Sequence, residues 1–238
     1  MQTLDRKLDF VDAFRALAAA ERNPDDIESG VKLVISLEGR SLERFFKRFI
    51  ADPAGATIVR ERLSLFAVLD DREALAKLSP GSLGRAYLEW TEAEEITAAG
   101  LTGAAESWFA EGELSEDRRF VMERYRDTHD LWHVLTGYGR DLVGELVLLT
   151  FSLVQVRQAG LALPVVFGYL SHAFDPPRRR LPNDAWRRAR RAVWLPVQDW
   201  EELVGFPLDQ VREELRVGPP PVYEPIGSPY APPVKAHD

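Results

Sequence analysis

The chain contains no cysteine, and histidine is almost as scarce, with four residues in 238. The first absence excludes disulfides, thiolate nucleophiles, iron–sulfur clusters and sulfur-based zinc sites. Any bound metal must therefore be held by imidazole and carboxylate. Long apolar runs are missing too. The longest, LVLLTFSLV at residues 146–154, falls well short of the ~20 residues a membrane-spanning helix needs. The N-terminus, MQTLDRKLDFVDAFRALAAAERNPDD, has no uncharged apolar segment of signal-peptide type, and its acids set it apart from a transit peptide. We expect a soluble protein of a reducing compartment. The net charge of −8 argues against a nucleic-acid partner.

Strand signals are equally thin. Alternating β-branched runs are few, and no Asn-Gly or Asp-Gly dipeptide marks a hairpin. Helical spacing dominates instead. Leu4, Leu8, Val11 and Leu17 share one helix face, which Asn23-Pro24 ends. Leu42, Phe45, Phe46 and Phe49 form a second stripe, with Ser41 as N-cap and Pro53 as terminator. SPGSLGRAYLEW, residues 79–90, reads as a loop opening a helix, and residues 123–136 as a helix stopped by Gly137. A further helix is expected over about 140–158, and AGLALP leads from it into a short apolar one. The expected architecture is all-α: a single-domain multi-helix bundle of roughly eight to ten helices over residues 1–217. Residues 218–238 hold seven prolines and form a proline-rich C-terminal tail. It is expected to be extended or disordered, with packing over a neighbouring subunit as the alternative.

Two of the four histidines fall in HDLWHVLTGYGRDLVGE, residues 129–145. On a helix, His129 and His133 differ by about 40° and one turn, and Asp130 lies about 60° from His133. Gly137-Tyr138-Gly139 lets the chain turn, so that the next helix can return Glu145 to the same point. Up to four nitrogen and oxygen ligands result, a set for zinc or ferrous iron rather than calcium. Asp130 has a second reading, as acceptor of a histidine N–H outside the coordination sphere. A helical histidine pair also arises by chance among packed or surface residues. The adjacent Asp130, the later Glu145 and the scarcity of histidine elsewhere favour a metal. A metalloprotease would carry glutamate at the Asp130 position, and the glycines follow a helix rather than the strand of a dinucleotide site. A phosphohydrolase built on the adjacent His-Asp needs further ligands, for which His172 is the spare histidine.

At these residues a family resemblance emerges. RYRDTHDLWHVLTGYGRDLVGE resembles the H-D-x-x-H-x11-E signature of the coenzyme Q biosynthesis protein 4 family, and the count from His133 to Glu145 fits it. SPGSLGRAY resembles the family's P-x-G-[ST]-L-G-R-x-Y segment, GLALP its G-L-P turn, and WEELVGFPLDQVREELRV its W-E…P-L…R…L-G-I ending. The resemblance runs from residue 60 or so to 217 and is loose before that. The proline-rich tail and the missing mitochondrial presequence depart from eukaryotic members, which points to a bacterial cytoplasmic relative. The resemblance implies an all-helical protein peripheral to the inner membrane, with a divalent metal ion (zinc or iron) at His129, Asp130, His133 and Glu145. It also implies other ubiquinone-biosynthesis enzymes as partners; a homodimer is the expected assembly.

Two roles follow from the resemblance. One is oxidative decarboxylation, in which the ring carboxylate of a prenylated hydroxybenzoate is replaced by hydroxyl and the His-Asp-His-Glu set is catalytic. The other is a non-catalytic, lipid-binding organiser of the ubiquinone enzymes with a structural metal. Two histidines with one or two carboxylates leave coordination positions open, which favours chemistry. Arg124 or Arg126 would hold the carboxylate of the prenylated quinone precursor, surface placement being the alternative. LVLLTFSLV and LALPVVFGYL are apolar all round. They read as core helices, or as the lining of an isoprenoid tunnel bordered by Leu149, Leu153 and Val166. Residues 175–191, DPPRRRLPNDAWRRARR, carry seven arginines against two acids, a local +5 that leaves −13 for the rest. With Trp186 and Trp194 flanking the second cluster, this segment reads as facing anionic headgroups, or as a solvated face paired with the chain's own acids.

Overall fold

The stripe of Leu42, Phe45, Phe46 and Phe49 is buried whole by the first helix, α1 (Ser41–Ala51). In the computed structural model, which describes Arg15 and residues 40–96, 114–170 and 178–225, Arg40 rather than Ser41 is the N-cap. Ser41 sits inside the helix because its Oγ accepts the Ala159 N–H at 3.2 Å, a tertiary contact that no local signal announces. Pro53 opens α2 (Pro53–Glu61) as well as closing α1: at the first helical position its missing N–H costs nothing, and Asp52 caps the turn through Ala54 N at 2.9 Å. The predicted N-terminal helix of Leu4, Leu8, Val11 and Leu17 lies outside the described residues, as does His172.

Short helices follow: α3 (Leu65–Asp70), α4 (Arg72–Lys77) and α5 (Leu83–Ala93), capped by Ser64, Asp71 and Ser82. The long α6 (Glu116–Thr136) ends where Gly137 takes φ +76° and returns its N–H to His133 O at 2.8 Å. Then come α7 (Leu142–Val156), α8 (Ala162–Leu170), α9 (Arg180–Arg191), α10 (Trp200–Leu203) and α11 (Leu208–Glu214). Eleven α-helices thus stand among the described residues, more than the periodicity predicts. The excess consists of elements of one or two turns, too short to show a 3.6-residue period and held by caps and tertiary contacts. No strand occurs among the described residues, only one isolated bridge between Ser82 and Pro207. No described helix is long and apolar enough to cross a membrane.

At the centre, α7 packs along α9. The small Ala185 and Ala189 of α9 are buried there and allow close approach. Gln155 stitches the pair, its Nε2 donating to Ala189 O at 2.8 Å and its Oε1 accepting from Leu195 N at 2.9 Å. Below them Trp132 of α6, fully buried, meets Phe151 edge-on at 6.2 Å. Trp194, read from sequence as membrane-facing, instead packs edge-on against Phe45 and Phe49, donates to Gln155 O and lies under the Arg48 guanidinium. Arg188 also turns inward, donating to Thr136 O at 2.9 Å and Val217 O at 2.9 Å. The arginine cluster is therefore split: Arg188 fastens α6 to the chain's end, while Arg187, Arg190 and Arg191 stay exposed. The start of the tail, expected to be extended or laid over another subunit, folds back on its own chain near the turn between α6 and α7. Residues 226–238 lie outside the described residues.

Candidate metal centre

One stretch of α6 supplies most of the centre. His129, Asp130 and His133 offer ligand atoms that all lie within 4.8 Å of one another. The turn at Gly137 reverses the chain, Asp141 caps α7 through Val143 N at 3.1 Å, and Glu145 falls in the first turn of α7. Its carboxylate bridges the two rings, with Oε2 3.5 Å from His129 Nε2 and Oε1 3.4 Å from His133 Nε2. The four residues singled out from sequence are thus brought together.

The protonation of His133 tests whether a cation fits. Its Nδ1 lies 2.8 Å from the Tyr138 carbonyl, an acceptor, so Nδ1 carries the proton in the neutral ring. That leaves a lone pair on Nε2, which is buried and has no hydrogen-bond partner. A lone pair and a carboxylate facing each other at 3.4 Å repel unless a proton or a metal ion lies between them. The electrostatics agree. Burial pushes the Glu145 carboxyl upward, but the two imidazoles of His133 and His129 beside it outweigh that and hold the group well below the usual carboxylate range. Burial lowers His133, yet Glu145 and Asp130 raise it overall, while Asp130 itself is pushed up by burial. The donor set, two imidazoles and up to two carboxylates, suits zinc or iron and uses the orphaned Nε2. The indole of Trp90 stacks on His133 at 5.4 Å and 20°, and His129 meets His133 edge-on at 4.9 Å.

The two arginines nominated for substrate are otherwise engaged. Arg124, only 2% exposed, forks onto the Glu201 carboxylate and donates to Leu63 O at 3.0 Å and Gln198 O at 3.2 Å. Arg126 is paired with its neighbour Asp127 at 2.8 Å, the two side chains mostly shielded. Each guanidinium is taken up by a half-buried acid, Glu201 for Arg124 and Asp127 for Arg126. Arg140, which the sequence reading passed over, is near enough to offset a little of the burial that raises Asp130 and lies 3.9 Å from Glu94. Its signal was its place between the turn and the capping Asp141. Leu149 and Leu153 are half-buried on the Glu145 side of α7, and Val166 is 50% exposed on α8. Leu149 and Leu153 are packed against the core and continue the helix face that carries Glu145.

Comparison with known proteins bears on the family and the fold. The chain is 32% identical over 173 residues to the mitochondrial ubiquinone biosynthesis protein COQ4 homologue of Rattus norvegicus, a match covering 71% of this chain and 63% of that protein. The Danio rerio homologue is 29% identical over 207 residues, covering 86% and 74%. A crystal structure of a Nostoc punctiforme PCC 73102 protein shares the fold with a TM-score of 0.65 at 20% identity, over 88% of this chain and 96% of that one. The family model described as "Coenzyme Q (ubiquinone) biosynthesis protein Coq4" matches residues 7–221. That match extends well upstream of the motifs legible by eye, and with most of the chain under it, this protein belongs to the Coq4 family.

Proposed function

We propose that the chain acts in ubiquinone biosynthesis as a metal-dependent enzyme, replacing the ring carboxylate of a prenylated hydroxybenzoate by hydroxyl at a membrane surface. The observation that carries this reading is the pair of imidazole Nε2 atoms facing the Glu145 carboxylate at 3.4 and 3.5 Å. His129, His133 and Glu145, with Asp130 at the edge, would hold the ion. The bond from ring to carboxylate breaks with release of carbon dioxide, a water oxygen becomes the new hydroxyl, and the two electrons and two protons reduce dioxygen to hydrogen peroxide; bound iron would supply the electron exchange, whereas zinc has no such redox chemistry. The chain's own groups do the rest. Trp90 shields the buried side of His133 from water, and the Tyr138 carbonyl fixes the ring with Nε2 toward the site. Arg140 takes the role first given to Arg124 and Arg126, holding the ring carboxylate beside the centre. Residues four apart on one helix share a face, so Glu145, Leu149 and Leu153 place a polar ring at one end and an isoprenoid chain along the other.

The test is complementation of a ubiquinone-deficient strain by wild type and by Glu145→Ala, reading the intermediates that accumulate. Enzymatic action predicts that the variant accumulates a ring still bearing its carboxylate. Loss of all later steps together would instead favour the organiser, with the metal structural.

Membrane association is part of the same proposal. Asn183, Trp186, Arg187, Arg190 and Arg191 are exposed along one side of α9, and Tyr169 of α8 reaches Asn183 Oδ1 at 3.3 Å. Trp186 is 45% exposed and Val166 50%. This is an aromatic and cationic face of the kind that enters the headgroup layer. Replacing Arg187, Arg190 and Arg191 by glutamine should weaken binding to anionic vesicles by about 100-fold, at ~1 kcal/mol per cation, and high salt should reproduce the loss. Arg188 is left in place because it is structural. Equal wild-type affinity for neutral vesicles would mean that apolar insertion alone does the anchoring.

A further inference from the structure

Beyond the last helix the chain turns back across the turn that joins the two ligand-bearing helices. Arg188 ties both segments together, donating to Thr136 O at 2.9 Å and to Val217 and Gly218 O at 2.9 and 3.3 Å. Pro220 then crosses Gly137 so closely that a Cβ there would lie 2.3 Å from the proline Cβ. Tyr223 completes the crossing. Its hydroxyl accepts the Gly139 N–H at 2.8 Å and donates to Asp141 Oδ2 at 2.8 Å. The other oxygen of Asp141 caps α7 through Val143 N at 3.1 Å and Gly144 N at 3.3 Å, and its carbonyl accepts the Glu145 N–H at 2.9 Å. A Cβ on Gly144 would lie 2.1 Å from the Gly139 carbonyl oxygen and 2.5 Å from the Tyr223 hydroxyl, so glycine beside Glu145 makes room both for the turn and for the segment that crosses it.

From this arrangement we infer that residues 217–223 form a strap that fixes the turn between α6 and α7, and that Tyr223 is a positioning residue for Glu145. The inference rests on the metal-site reading above and adds to it how the fourth ligand is placed. Glu145 is in the first turn of its helix, where the end frays unless the orphan N–H groups are satisfied. The N-cap Asp141 satisfies two of them, but only in one rotamer, and the Tyr223 hydroxyl holds that rotamer. The same hydroxyl satisfies Gly139 N–H in a turn that contains two glycines and has little stiffness of its own. The strap therefore selects one setting of α7 against α6, with the carboxylate between the imidazoles before any ion arrives. Ligands preorganised by outer contacts bind metal more tightly, and loss of such a contact typically costs ~10–100-fold in affinity.

The probe is Co²⁺, whose visible absorption bands report ligand number and geometry, titrated into metal-free full-length wild type and Tyr223→Phe. The substitution removes one hydroxyl and keeps the ring, so the fold is retained. The expected result is an affinity about tenfold lower in the variant, with bands altered in position and intensity and a melting temperature changed by a few degrees at most. Wild-type affinity and wild-type bands in Tyr223→Phe would overturn the proposal, whatever the melting temperature, since that is how a merely structural brace behaves. If wild type itself develops no cobalt bands, the metal reading falls and the strap's role falls with it. A wild type that binds, beside an indistinguishable variant, removes the strap alone.

Discussion

Replacing His129 and His133 together by alanine is expected to strip the chain of a divalent ion that wild type carries at about one per chain. The loss should exceed the ~10–100-fold that removal of an outer contact costs, because both nitrogen donors disappear and two carboxylates remain. Elemental analysis of the two purified proteins, handled identically, checks it; full retention in the double variant would place the ion elsewhere. The pH dependence follows from the same groups. The carboxyl of Glu145 is depressed below its ordinary 4.5, so its contribution to stability is present above about 4.5 and is lost as pH falls through the depressed value. His133 is raised above its ordinary 6.5, so its contribution is complete below about 6.5 and is lost as pH rises through the raised value. Metal-free protein therefore gains most from the cluster between those two limits. A metal needs neutral imidazole, so its binding strengthens as pH rises through the raised value of His133. The increase in melting temperature on adding Zn²⁺ should accordingly grow from pH 6 to pH 8 in wild type and be absent in the double variant.

Arg124→Met is expected to cost about 3–5 kcal/mol of stability, the usual cost of leaving one member of a buried pair alone. For a chain of this size that lowers the melting temperature by the order of 10 °C. The reason is Glu201, only 18% exposed, which loses both of its guanidinium contacts and cannot recover full hydration. Leu63 O and Gln198 O lose a donor at the same time. Removing the partner as well, in Arg124→Met/Glu201→Leu, should restore part of the loss, because two apolar groups of similar volume bury no charge. Denaturation of the three variants decides between this and the sequence-based role. A substrate arginine would leave stability nearly unchanged and lower ligand affinity. A structural one lowers stability and leaves metal content at the wild-type level.

The sequence by itself determined what depends on near neighbours. The turn-spaced His129 and His133, with Asp130 between them, share a helix face by backbone geometry alone, and the all-α class follows from a pattern repeated through the chain. The stop at Gly137 was legible because a left-handed residue is a local requirement. Glu145 was legible as a spacing, but its approach to both rings needed the turn and the Asp141 cap to set α7 at one angle. Only the tertiary structure decided the fate of the arginines. Composition made Arg124 and Arg188 equivalent cations, whereas their roles depend on partners far away in the chain: Glu201 lies 77 positions from Arg124, and Thr136 lies 52 from Arg188. The placing of the start of the proline-rich tail is a second case. Proline excludes regular helix and central strand, which local chemistry reports faithfully, but the partner that immobilises irregular chain is set by long-range packing. Here the partner of Tyr223 is a glycine N–H 84 positions earlier, and nothing in a local pattern of residues encodes a contact at that distance.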